Sequence, residues 1–309
     1  MLNSLMPTLP PDTLKKAHDF IQTNCRPLEL ARFEFLFNHG SSDKVLEELK
    51  KFQNPDGGFG HGLEPDSTHP ESSPLATTIA FQILEDLKSP DLELIKKAVE
   101  YFENTFDKDR HGWFAMDDKV NNYPHAIWWN WDPVKRQTPI DEHWGNPTAE
   151  IVGYLFKYRQ FLKTLDIDEL VNFTINYWVN QTEFKSEHEA YCFIRLHKNL
   201  PKELAKKLEP NLIKATQKLV AFDKNKWSQY LPQPLHFTSS PDFFLYNVVK
   251  DSINENLDYL ISSVTSDGVW LPHWTWYQYD QEWEIQKIVW SGILTIQNLK
   301  TLRAYHRID

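Results

Sequence analysis

The chain has 309 residues, with 33 Lys and Arg against 43 Asp and Glu, a formal charge of −10. A surface of that sign repels phosphate backbones, so nucleic acid is excluded as an expected partner. Two cysteines, Cys25 and Cys192, cannot build a disulfide framework or a thiolate zinc site, and the expected compartment is the reducing cytoplasm. The opening stretch MLNSLMPTLPPDTLKK lacks the basic start and apolar run of a signal peptide. No later segment is apolar for long enough to cross a bilayer, so stable membrane insertion is not expected.

In chain order, the periodicity predicts helices at 12–23, 27–38, 42–52, 74–87, 91–106, 146–163, 167–181, 187–198, 202–222, 241–249, 251–264 and 286–303. Some are amphipathic. Leu92, Ile95, Val99 and Phe102 recur on one face, as do Leu204, Leu208, Leu212, Ala215, Leu219 and Phe222, although Pro210 is expected to split that second segment. Others are apolar on nearly all sides: Leu28 to Phe37, Leu75 to Leu87, Ile151 to Leu162, and Ile285 to Leu302 with Ile288, Val289, Gly292, Ile293, Ile296 and Leu299 in register. Helices of that kind are expected to be buried all round. Ser73-Pro74, Asn146-Pro147 and Ser240-Pro241 each place a capping side chain before a proline at the first helical position.

Alternating strand patterns of useful length are missing, so the expected fold class is all-α. Pairing the amphipathic and all-apolar helices in order gives about six outer/inner pairs, an α/α toroid or (α/α)6 barrel occupying residues 1–309 as one domain. Three connections, 53–73, 107–145 and 265–285, are far longer than ordinary helix links, and a double ring brings them out on one face. They carry the unusual residues. Five of the 12 tryptophans fall between Trp113 and Trp144 and five between Trp270 and Trp290, while Gly57, Gly58, Gly60 and Gly62 cluster in the first connection. Loops that combine Trp, His and Gly are more often site walls than scaffold.

The segment Gln53-Asn54-Pro55-Asp56-Gly57-Gly58-Phe59-Gly60 resembles the glutamine-aromatic repeat of the terpenoid cyclase and protein prenyltransferase superfamily. Asp267-Gly268-Val269-Trp270 looks like a second copy and Arg110-His111-Gly112-Trp113 a third, and Ser73-Pro74-Leu75-Ala76-Thr77 and Asn146-Pro147-Thr148-Ala149 resemble the starts of that superfamily's inner helices. The resemblance implies an α/α toroid of about six helix pairs. Within the motif, glycine permits a tight turn, the aromatic ring packs beneath the next pair, and the glutamine amide bonds free carbonyls at a helix end. The chain diverges from the superfamily's activities. No Asp-x-Asp-Asp acid occupies Ser73-Pro74 or Asn146-Pro147, and Cys192 is the only sulfur that could stand for the prenyltransferase zinc ligand.

The densest chemistry lies in His61-Gly62-Leu63-Glu64-Pro65-Asp66-Ser67-Thr68-His69. Two carboxylates and two imidazoles supply a general acid, Glu64 or Asp66, with a partner that tunes it; the alternatives are turn capping and a metal. His61 and His125 are the expected polar partners, and Glu142 in Asp141-Glu142-His143-Trp144 a second acid. Trp128, Trp129, Trp131, Trp144, Trp274 and Trp276 are the expected aromatic wall, joined by His273 and Glu282, with Pro124-His125 and Pro272-His273 facing each other across the mouth. Asp117-Asp118 weakly mimics an aspartate-rich diphosphate–Mg²⁺ motif. No Walker A, dinucleotide or nucleophile-elbow motif occurs, so no cofactor and no committed metal ligands are expected. Three functions remain open: a terpenoid-cyclase-like protein binding an apolar, isoprenoid-type ligand with acid-initiated chemistry; a carbohydrate-active (α/α)6-barrel enzyme acting on a glycan through Trp platforms and paired carboxylates; and a noncatalytic scaffold.

Overall fold

The computed structural model describes residues 7–87 and 91–308; Met1 to Met6, the start of the stretch read above for a signal peptide, lie outside the described residues. Among those described there are twelve α-helices, five 3-10 turns and no strand, only isolated bridges, so the chain is all-α. None of these helices is long and apolar enough to cross a membrane. The chain divides into two compact units: residues 1–45, 220–275 and 283–309 form one, and 46–219 with 276–282 the other.

The larger unit, residues 46–219 with 276–282, is a succession of helix pairs. Helices α4 (Pro74–Leu84), α6 (Gly145–Lys157) and α8 (Glu187–Asn199) pack in sequence, and each has a following helix against it: α5 (Leu92–Asn104), α7 (Ile167–Val179) and α9 (Lys202–Leu219). The burial patterns differ as the apolar content predicts. Nearly every residue of α6 from Gly145 to Leu155 is buried, whereas α9 buries only a stripe that includes Ala205, Leu208, Leu212 and Ala215. Local chemistry sets the starts. Ser73 Oγ accepts from the Ala76 amide, Asp166 caps α7 through the Asp168 and Glu169 amides, and Ser186 caps α8 through Glu189.

In the other unit, α1 (Thr13–Asn24) packs on α2 (Pro27–Phe37), and the one-turn α10 (Pro234–Phe237) on α11 (Tyr246–Ser262). Gly292 of α12 (Asp280–Ala304) lies so close to Cys25 that a Cβ there would stand 2.7 Å from Sγ. The chain ends are pinned together, because Arg307 bonds Asp258 at 2.8 Å and its carbonyl accepts from the Leu9 amide.

Several expectations need correction. Pro210 does not split its segment; α9 runs through it, because residues on both sides keep burying the same apolar stripe. Leu92 is 56% and Phe222 44% exposed, since the first sits at the start of α5 and the second lies beyond the end of α9. The expected helices 241–249 and 251–264 are one helix, Tyr246–Ser262, with no breaker between them. Ser240 caps only a turn, through the Asp242 amide, and Asn146, extended at the kink before Pro147, turns its Oδ1 to the Cys192 thiol rather than to a helix amide. Helix α12 is not buried all round, as Ile285 is 63% and Ile288 37% exposed. It also starts at Asp280 rather than 286, so the last long connection is shorter than expected and Glu282 lies in a helical first turn. There its charge faces the positive end of the helix dipole.

Candidate functional site

In the larger unit, three loop segments are knitted together: 64–69, 123–130 and 276–279. The Ala126 amide donates to the Asp66 carbonyl at 2.8 Å and the Thr68 amide to the Pro124 carbonyl at 2.9 Å. The Ile127 amide reaches the Trp276 carbonyl at 3.1 Å. Gln278 Nε2 donates to the His125 carbonyl at 2.7 Å and to Asn130 Oδ1 at 3.0 Å. Backbone groups that a helix would have satisfied internally are thus satisfied between loops.

Two acids lie inside this arrangement. Glu64 is 7% and Asp66 5% exposed. The indole of Trp276, wholly buried, donates from Nε1 to Asp66 Oδ1 at 2.8 Å. Glu64 Oε1 accepts from the Asp66 amide at 3.3 Å, so the two carboxyls share one tight turn. His125 is buried, with Nδ1 2.6 Å from the Tyr123 carbonyl and Nε2 2.8 Å from Asn130 Oδ1, and Tyr279 packs on its ring. Both its nitrogens are engaged, which makes it a strut between the segments. Of the residues the sequence proposed, Glu64, Asp66, His125 and Trp276 come together here.

The remaining candidates in this unit have other neighbours. His61 is exposed and turns Nε2 to Asn54 Oδ1 at 2.8 Å. Glu142 is exposed and pairs with Lys135 at 2.9 Å, an ion pair that holds its carboxyl below the ordinary range. Its neighbour Asp141 is buried, and burial pushes its carboxyl up although Thr138, the Ala115 amide and Arg110 favour the charge; its oxygens close the turn at Thr138 and bond Ala115 at 2.7 Å. Trp144 donates to the Arg110 carbonyl at 2.9 Å and packs on Phe173 and Tyr177. Trp129 is buried, while Trp128 and Trp131 are half-buried. Trp131 walls an open pocket of about 270 Å³ with Asn130, Asp132, Lys135, Gln137 and Glu142.

Among the described residues Cys192 belongs to no group that could hold a metal; its thiol is buried beside Glu150, and burial first, then Glu150, pushes it well above the ordinary range. In the smaller unit, His273 is exposed and partial burial lowers its imidazole, and Trp274 packs edge-on against Trp290 and Tyr230.

One group escaped the sequence reading. His69, Glu71 and Asp117 hold their nitrogen and oxygen atoms within 4.8 Å of one another. The legible signal was the closeness of His69 and Glu71 along the chain, two residues apart about Pro70. The approach of Asp117 across 46 residues had no sequence signal. Set against the models of known protein families, against curated proteins and against solved structures, the chain matches none of them.

Proposed function

We propose that this is a terpenoid-cyclase-like α/α toroid that binds an apolar, isoprenoid-type ligand and uses Asp66 as a proton donor. The single observation that carries the reading is the Asp66 carboxyl, 5% exposed and 2.8 Å from the buried indole nitrogen of Trp276. The Glu64 carboxyl shares its turn, with Oε1 accepting from the Asp66 amide at 3.3 Å. An acid shielded from water beside an aromatic ring is the arrangement that alkene protonation requires. Trp276 contributes the aromatic face and His125 fixes the loop that carries it. The toroid reading draws support from α4, α6 and α8 packing in sequence, each with a following helix against it.

A second reading, glycan binding, is favoured by the open pocket beside Trp131, whose Asn130, Asp132, Gln137 and Glu142 are polar. Glu142, held charged by Lys135, suits hydrogen bonding there better than proton donation. Thermal unfolding of the full chain with geranylgeraniol, squalene and cello-oligosaccharides separates the two. The expected result is stabilisation by a polyprenyl compound, about 2.7 kcal/mol at a hundredfold excess over Kd, and loss of any acid-initiated turnover in Asp66→Asn. Stabilisation by the oligosaccharides alone overturns the leading reading.

A further inference from the structure

Beside the Asp66 turn, and independently of its role, the fold assembles a second polar group. Residues 69–71 are held from several sides: the Gly62 amide bonds the His69 carbonyl, the His61 amide bonds the Pro70 carbonyl at 3.2 Å, and Asn54 Nδ2 reaches the same carbonyl at 3.1 Å. Gly60 permits this closeness, because a Cβ there would stand 2.2 Å from the Glu71 carbonyl oxygen. The His69 and Glu71 side chains thereby come together. Asp117 meets them from the start of the 3-10 turn Asp118–Asn122, where its Oδ1 also accepts from the Lys119 amide.

His69 points to what this group is for. The residue is 3% exposed, its ring packs on Tyr123, and neither Nδ1 nor Nε2 makes a hydrogen bond. Nε2 comes no nearer than 3.4 Å to Asp117 Oδ1. A buried polar group left in that condition is destabilising. The ammonium of Lys119 pairs with Glu71, so a positive charge already stands next to the two carboxylates.

We propose that His69, Glu71 and Asp117 form a binding site for a divalent transition cation of the Zn²⁺ class, with Lys119 as its internal competitor. One imidazole nitrogen and one oxygen from each carboxylate supply three ligands, and solvent completes the shell. Metal–ligand distances of about 2.0–2.2 Å require donor atoms closer than the present spacing. The side chains of Glu71 and Asp117, 46% and 48% exposed, have room to swing inward, while His69 is fixed. A nitrogen donor beside two carboxylates suits Zn²⁺, Co²⁺ or Mn²⁺, and the imidazole disfavours Mg²⁺ and Ca²⁺.

The test uses untagged full-length protein freed of metal by a chelator. Calorimetric titration with Zn²⁺ is expected to show one saturable equivalent, and Co²⁺ a visible absorption band, with no response to Mg²⁺. Glu71→Gln and Asp117→Asn, both on the exposed side, each weaken Zn²⁺ binding at least about tenfold. His69→Gln abolishes the Co²⁺ band. Lys119→Met tightens binding several-fold, which a merely structural cluster does not do. Absence of a saturable equivalent overturns the site, as does an equivalent whose affinity is unchanged in both carboxylate variants.

Discussion

The connection from Gln53 to Ser73 and the connection from Thr265 to Tyr279 open alike and continue differently. Each turns on a glycine with a left-handed backbone, Gly57 at φ 92° and Gly268 at φ 77°, a conformation that costs other residues energy. Each then presents a buried aromatic residue whose backbone amide donates to a threonine of the next long helix: Phe59 to Thr77 at 3.0 Å, Trp270 to Thr295 at 3.2 Å. A third copy sits between them, where the Trp113 amide donates to Thr148 Oγ1 at 3.0 Å. The indoles of Trp113 and Trp270 also close off the preceding helices, through the carbonyls of Phe102 and Leu260. Phe59 has no such donor, and there Gln53 Nε2 bonds the Gly57 and Leu94 carbonyls instead.

Beyond the shared turn the two part company. The first connection inserts residues 61–71 between its aromatic anchor and the cap at Ser73, and that insert holds Glu64, Asp66, His69 and Glu71. The second runs on to α12 with no buried acid. The repeated part is scaffold, and it fixes where the chain leaves and re-enters the helices. The insert is free of that duty, and polar residues that burial would ordinarily forbid are gathered in it.

Equilibrium urea unfolding ranks the consequences. Trp113→Ala and Trp270→Ala have the largest expected effect, about 3–5 kcal/mol each, through lost packing around a fully buried ring. If only one of them falls in that range, the two copies are not equivalent. Thr77→Val, Thr148→Val and Thr295→Val come next. Each leaves a buried amide without its acceptor, at about 1–3 kcal/mol, and similar values for all three sharpen the repeat into a quantitative one. Asp66→Asn is expected to change stability least, by under about 1 kcal/mol or in the stabilising direction, because an amide oxygen still accepts the Trp276 indole and groups held for function seldom serve stability. A loss above about 3 kcal/mol would make Asp66 a buried structural tie and move it from the insert's chemistry to the scaffold.

Much of the helical order was legible because burial imposes a period on each segment. Ile95, Val99 and Phe102 recur as one face of α5 must, and Ser73 with Pro74 announces α4. Where expectations failed, a local signal met a stronger neighbour. Pro210 lost to the stripe on both sides of it, and Ser240-Pro241 spent its cap on a turn. The three anchoring threonines stand in the helix starts Ser73-Pro74-Leu75-Ala76-Thr77 and Asn146-Pro147-Thr148-Ala149 or in α12, but nothing in one chain announces that a hydroxyl will receive an amide 18, 35 or 25 residues away.

The order of amino acids by itself determined the all-helical class, the long loops and the concentration of acids and imidazoles near residues 61–69, because periodicity and composition act over a few residues at a time. Only the tertiary structure decided that Trp276 donates to Asp66, that His125 is engaged at both nitrogens, and that Asp117 stands opposite His69 and Glu71. Those are contacts between segments far apart along the chain, and their geometry follows from how the helices pack rather than from any local pattern.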